Sequence, residues 1–232
     1  MFWLLSVDVM KPKLVIFDLD GTLLDTIDDL KEAVNHAMGL RGFPTFTRDE
    51  VMAMVGHGAR NLMRQALPVG HKDDDMVDAA YNDFKAYYIT HIDTHTKPFS
   101  GIQELLAKLH QEGIMLAVAS NKFQEGTEHL IKEFFPEIPF VAVLGGRPDF
   151  PLKPDPEIVG EVLRKAGVEK GDAVMIGDSP TDMETAANSG VRGIAVNWGY
   201  RNMRDTALRQ AQGPHRLIVV DTAKELQNLL LS

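Results

Sequence analysis

Four aspartates and one lysine are the residues whose spacing could do chemistry. Asp18 and Asp20 stand two apart in Lys13-Leu14-Val15-Ile16-Phe17-Asp18-Leu19-Asp20-Gly21-Thr22-Leu23-Leu24-Asp25. Asp178 and Asp182 stand four apart in Gly177-Asp178-Ser179-Pro180-Thr181-Asp182, and Lys153 lies in Leu152-Lys153-Pro154-Asp155-Pro156. Residues i and i+2 of an extended chain point the same way, so Asp18 and Asp20 can face one small volume. Like charges so close need a cation or a shared proton. If the other two acids converge there, Lys153 is the only fixed cation among four carboxylates. An anion enters such a site only alongside a hard divalent ion, and an all-oxygen donor set suits Mg²⁺. Singly, each group is ordinary: Lys153 reads as a solvated lysine, Asp178 and Asp182 as a turn and a capping acid.

Their joint placement needs elements that end where they stand. Leu14–Phe17 is a short apolar run of the kind that forms a strand buried on both faces, and Gly21 breaks it just after the acids. Further strands are expected at 115–119, 140–144, 173–176, 193–196 and 217–220. Helices are expected at 101–111, 125–134, 155–166, 180–189, 203–211 and 222–231. This alternation predicts an α/β fold: a doubly wound parallel sheet with helices on both faces. Ligands of such sheets bind at the carboxyl ends of the strands. Ser120 and Asn121 follow the 115–119 strand, and Ser120 reads as a hydroxyl donor there or as a plain helix cap. Lys153 follows the third strand, and Asp178 ends the fourth.

Residues 25–96 read differently. Helices are expected over 26–40, from a Thr47/Glu50 capping box to Gly56, over 59–67 and over 71–94, with no strand among them. The expected organisation is a core of residues 1–24 and 97–232 interrupted by a small all-helical unit of 25–96.

Composition narrows the partners. A formal net charge of −9 argues against nucleic acid, whose backbone wants a basic face. The chain has no cysteine, which excludes disulfides and thiolate metal sites and fits a cytoplasmic protein. No apolar run approaches the roughly 20 residues of a membrane span. Phe2-Trp3-Leu4-Leu5 lacks a basic flank and stops at Ser6, so residues 1–10 read as a tail, or as a start placed upstream of Met10, not as a signal peptide.

Asp-Leu-Asp-Gly-Thr-Leu-Leu-Asp resembles the first motif of the haloacid dehalogenase (HAD) superfamily, and Ser120, Lys153 and the Gly177–Asp182 stretch match its later motifs in order. The resemblance covers the chain from Lys13 onward. It implies a phosphatase with a Rossmann-like HAD core, acting on a small-molecule phosphate ester through an aspartyl-phosphate. In that family Asp18 is the nucleophile and Asp20 the acid–base group. Ser120, Asn121 and Lys153 hold the phosphoryl oxygens. Asp18, Asp178 and the Asp20 backbone carbonyl bind Mg²⁺, with Asp182 supporting. An aspartate at position 20 implies an oxygen leaving group, since haloacid dehalogenases lack it and phosphonate hydrolases carry a small residue there.

The helical unit would then be a mobile cap that reads the leaving group. Gly56-His57-Gly58-Ala59-Arg60 and Thr96-Lys97-Pro98-Phe99-Ser100-Gly101 are similar to segments of phosphoglycolate phosphatases and related pyrophosphatases. Arg60 is a candidate clamp for a substrate carboxylate or second phosphate, or a solvated helix arginine, and His57 a weaker substrate contact or an exposed loop histidine. Trp198-Gly199-Tyr200-Arg201 recurs in such phosphatases and is expected near the site or the cap. The resemblance leaves open an inorganic pyrophosphatase, a sugar-phosphate phosphatase or a β-phosphoglucomutase-like enzyme. Outside catalysis it leaves a phosphate-ligand sensor. A monomer or a homodimer is expected.

Overall fold

A computed structural model describes residues 11–210 and 217–232. The expectations for residues 1–10, and for Ala211 as the end of a helix, lie outside the described residues. In chain order the elements are β1 (Leu14–Phe17), β2 (Leu24–Asp25), α1 (Ile27–Gly39), α2 (Arg48–Met54), α3 (Ala59–Ala66), α4 (Asp74–Tyr88) and β3 (Lys97–Pro98). They continue with α5 (Ile102–Gln111), β4 (Met115–Phe123), α6 (Gln124–Phe134), β5 (Phe140–Gly146), α7 (Glu157–Ala166) and β6 (Ala173–Gly177). The chain closes with α8 (Pro180–Ser189), β7 (Arg192–Val196), α9 (Met203–Gln210), β8 (Ile218–Val220) and α10 (Ala223–Leu231).

Six strands form one parallel sheet in the order β5-β4-β1-β6-β7-β8. β1 lies inside it, with Phe17 in register between Val118 and Ile176. All four β1 residues are buried, because the strand alternates between two cores. Val15 and Phe17 join Leu105 and Leu109 of α5, Leu130 of α6 and Leu226 of α10. Leu14 and Ile16 face the other side, with Ile158, Val159 and Val162 of α7 and Ala186 of α8. Helices therefore cover both faces, and the strand order reverses beside β1, where the crossover geometry opens a crevice at the carboxyl edge.

Helices α1 to α4 lie between β2 and β3, which pair antiparallel, Leu24 with Pro98 and Asp25 with Lys97. The sequence predicts no strand here, because a two-residue ribbon is too short to show alternation. α1 packs on α4, and Leu30, Val34, Phe84 and Tyr88 merge with the first core. Buried Asp29 accepts backbone N–H bonds from His95 and Thr96, which ties the start of the insertion to its return. The Thr47–Glu50 capping box forms as expected.

Several boundaries differ from the expectations. α4 begins at Asp74, because Asp73 accepts the Met76 N–H as its N-cap, and it ends at Tyr88, ahead of His91 and His95. α7 starts at Glu157 behind the N-cap Pro156, and β8 starts at Ile218. β5 runs two residues past Leu144, and β4 runs four residues past Ala119, through Ser120, Asn121 and Lys122 to Phe123. The last extension changes the site.

Candidate active site

The loop after β1 begins while the sheet still holds it, since the Asp18 N–H donates to Ile176 O at 2.9 Å. Lys153 Nζ reaches Asp18 Oδ1 and Asp182 Oδ1, each at 2.7 Å. The other Asp182 oxygen accepts from Ser179 N–H at 3.1 Å and Ser179 Oγ at 2.6 Å, closing a capping box on α8. One carboxylate thus caps a helix and anchors the lysine. Asp178 Oδ2 accepts the Tyr200 N–H at 2.6 Å. Asp18, Asp178 and Asp182 are all buried, and each brings an oxygen within 4.8 Å of the others.

The electrostatics follow from this crowding. Burial, reinforced by Asp182 and opposed by Lys153, pushes the Asp18 carboxyl from 3.8 up to about 7. Burial also raises Asp178, with Asp182 and Asp18 adding to it. Burial works against the Lys153 charge, yet Asp18 and Asp182 outweigh it and hold the ammonium above the ordinary lysine range. The backbone comes close as well: Gly21 has φ +87°, and a Cβ there would run into the Asp178 carboxylate.

Asp20 sits apart from that group. Its Oδ1 accepts from Thr26 Oγ1 at 2.6 Å and from Lys122 Nζ at 2.8 Å; among the described residues Oδ2 accepts only from Lys122, at 3.1 Å. Lys153 is therefore not the only cation at this edge. The expected 115–119 strand stops short of Lys122, because its apolar run ends at Ala119 while the backbone continues to Phe123. Carried on, the alternation of Ser120 and Lys122 places both on one side of the strand.

A cavity separates the sheet edge from the insertion. Asp18, Asp20, Ser120, Lys122, Lys153 and Asp178 line one side; Leu30, Val55, Leu62, Phe84 and Tyr88 line the other. The Tyr88 hydroxyl is buried and has no hydrogen-bond partner among the described residues. Ser120 is buried at the cavity with its Oγ 3.2 Å from the Lys122 N–H.

Of the other expected contacts, one lines the cavity and two lie outside it. Asn121 lines the cavity, with its side-chain amide engaged by protein: it donates to Gly56 O and Lys153 O, both at 3.0 Å, and accepts the Lys153 N–H at 2.8 Å. It is a bracket between the lysine loop and the insertion. Arg60 is exposed and held by Asp78 at 2.6 Å and Asp74 at 2.9 Å, outside the cavity lining. α3 turns that side of its surface toward the α4 N-terminal acids. His57 is exposed and also outside the lining. The Trp198–Arg201 stretch reaches both places it was expected. Trp198 Nε1 donates to Thr22 O at 3.0 Å, Tyr200 OH accepts the Thr26 N–H at 2.7 Å, and Arg201 donates to the Val55 and Ala53 carbonyls at 2.8 and 3.2 Å.

A buried aspartate at the end of the central strand is paired with a lysine from a third strand-end loop, and comparisons with known proteins place the whole chain. Residues 15–196 match the family model described as haloacid dehalogenase-like hydrolase. The chain belongs to this family. A phosphoglycolate phosphatase of Mesorhizobium japonicum is 32% identical over 200 residues, which cover 84% of this chain and 88% of that one. A crystal structure from Lactobacillus delbrueckii subsp. bulgaricus, described as a candidate phosphoglycolate phosphatase, is 34% identical with a TM-score of 0.86, covering 95% of this chain and 99% of that one. CbbY from Rhodobacter sphaeroides, solved with phosphate, shares the fold at a TM-score of 0.76 and 23% identity over 93% of this chain and 96% of that one. This HAD-family chain is a phosphatase, a phosphoric monoester hydrolase. No helix among its described residues is long and apolar enough to cross a membrane.

The donor set can be tested against a metal ion. Of the three buried carboxylates, Lys153 pairs with Asp18 and Asp182, and Asp178 has no ion-pair partner among the described residues, so the cluster carries more acid than cation, and every donor is oxygen. That set fits a hard divalent cation. The Asp20 carboxylate is not part of it, so any part Asp20 plays toward a metal falls to its backbone carbonyl.

Proposed function

We propose that the chain is a Mg²⁺-dependent phosphatase that hydrolyses a short phosphate monoester such as phosphoglycolate through an aspartyl-phosphate on Asp18. The observation that carries the reading is the buried Asp18 carboxylate at the end of β1, held 2.7 Å from Lys153 Nζ. Asp18, Asp178, Asp182 and the Asp20 backbone carbonyl are the groups that would hold the ion. When bound, it supplies the positive charge that lets a phosphate stand among carboxylates.

In the first step an Asp18 oxygen attacks phosphorus while the bond from phosphorus to the leaving oxygen breaks. Asp20 gives its proton to that oxygen, releasing the alcohol. In the second step Asp20 takes a proton from water, whose oxygen attacks phosphorus. The bond between phosphorus and Asp18 breaks, and inorganic phosphate leaves. Lys153 and the Ser120 hydroxyl hold phosphoryl oxygens throughout.

Helices α1 to α4 act as a cap of residues 25–96 on a core of 1–24 and 97–232. Their cavity wall is largely apolar, which favours a short leaving group over a sugar, whose several hydroxyls would lose hydration there with few partners to gain. A panel of phosphoglycolate, pyrophosphate and sugar phosphates, with and without EDTA, tests the reading. Highest kcat/KM on a short monoester, lost in EDTA and restored by Mg²⁺, is expected. Preference for pyrophosphate, or full turnover in EDTA, overturns it.

A further inference from the structure

We propose that Lys122 is a positioning residue for Asp20, and that Asp20 Oδ2 is the oxygen that carries the proton to and from substrate. The inference rests on the acid–base role proposed for Asp20 and extends it to a residue on another strand. Lys122 is 6% exposed, and a buried ammonium is costly unless paired. Its one ion-pair partner among the described residues is Asp20, which it grips by both oxygens. The Nζ also lies 4.8 Å from the Tyr88 ring centroid, so its position is fixed from the insertion side too.

The two Asp20 oxygens are not equivalent. Oδ1 takes two short bonds, from Thr26 at 2.6 Å and Lys122 at 2.8 Å, and Thr26 Oγ1 is in turn 3.1 Å from Tyr200 OH. Oδ2 takes one longer bond, at 3.1 Å. A proton can rest on Oδ2 and leave it without breaking the better pair of bonds. Lys122 and Thr26 thus fix which way the carboxyl presents its acidic oxygen. A carboxyl free to swing would hold that oxygen in line for a smaller fraction of encounters.

The experiment compares kcat/KM of variants on p-nitrophenyl phosphate, whose leaving group departs without a proton, and on two alkyl esters, phosphoglycolate and glycerol 2-phosphate. General acid–base catalysis contributes roughly 10²- to 10⁴-fold, and loosening the acid loses part of that. Lys122→Met should raise the ratio of aryl to alkyl kcat/KM by about 10-fold or more, mainly through kcat and on both alkyl esters alike. Thr26→Val removes the other Oδ1 donor at nearly constant shape. It should move the ratio the same way by less, and it keeps the test open if Lys122→Met does not fold.

In an Asp20→Asn background, Lys122→Met should add no further selectivity. Equal losses on all three substrates mean that Lys122 only supports the fold, and they overturn the proposal. A KM rise confined to phosphoglycolate means that Lys122 binds the substrate carboxylate, and it also overturns the proposal. If Asp20→Asn itself shows no leaving-group selectivity, the acid–base reading of Asp20 fails. If Asp20→Asn is selective and Lys122→Met is not, only the inference about Lys122 fails.

Discussion

Lys153 Nζ stands 2.7 Å from Asp182 Oδ1, and both side chains are almost wholly out of water. The lysine shares itself between this structural acid and the proposed nucleophile, so fold and chemistry meet at one ammonium. Lys153→Met would leave two buried carboxylates without their cation. Removing one partner of a buried pair costs about 3–5 kcal/mol. Urea unfolding of the metal-free protein should show a loss of that size, with turnover reduced by orders of magnitude in whatever protein stays folded. A near-wild-type midpoint would show that the acids find other partners.

The raised Asp18 carboxyl gives the metal-free protein a pH dependence of definite sign. Its pKa goes from 3.8 to about 7 on folding, so folding favours the protonated form. The resulting stability is fully present below about 3.8 and is lost as pH rises through about 7. In EDTA, Asp18→Asn should therefore gain in melting temperature relative to wild type between pH 5 and pH 8. A gap that stays constant or shrinks with rising pH would contradict the assignment.

Arg60 should be dispensable for turnover. Its guanidinium is engaged by Asp74 and Asp78 on an exposed surface, where ion pairs contribute about 0–1 kcal/mol. Arg60→Ala should keep kcat/KM on phosphoglycolate within about twofold, which corresponds to about 0.4 kcal/mol. A loss of about tenfold or more on anionic substrates, with p-nitrophenyl phosphate spared, would place Arg60 at the ligand.

Arg201 ties the Tyr200 loop to the insertion through the carbonyls of Ala53 and Val55 at the end of α2. Arg201→Ala removes charge-assisted bonds of about 1.5–3 kcal/mol each at most. Hydrogen exchange should quicken at backbone amides of residues 52–58 while the amides of β1 and β6 stay protected. Unchanged exchange in 52–58 would mean that the Asn121 and Gln65 contacts to Gly56 and Met54 hold this segment without Arg201.

The contrast between Asp18 and Arg60 shows what sequence can specify. A buried strand has an apolar run and a definite end, so the positions of Asp18, Asp178 and Lys153 at one sheet edge follow from pattern and topology. The azimuth of a short helix on a partner does not, and α3 could have presented Arg60 to the cavity or, as it does, to the acids of α4. Asn121 and Lys122 were obscured by a different cause. The apolar pattern of β4 stops at Ala119, while its backbone continues in strand geometry with a register irregularity through polar residues to Phe123. Side-chain direction there depends on that extension, and so does the role of each residue: Asn121 braces the loops and Lys122 meets Asp20. The ribbon of β2 and β3 is two residues per strand, below the length at which any periodicity can be read.

The central claim is that phosphorus is transferred to Asp18. The most direct measurement is acid-quenched intact-mass and peptide mapping of the enzyme during steady turnover of phosphoglycolate with Mg²⁺. One phosphoryl group should be found on the peptide that contains Asp18 and should disappear in Asp18→Asn, which should fold without turning over. A phosphoryl group on another residue, or wild-type turnover by Asp18→Asn, would contradict the account.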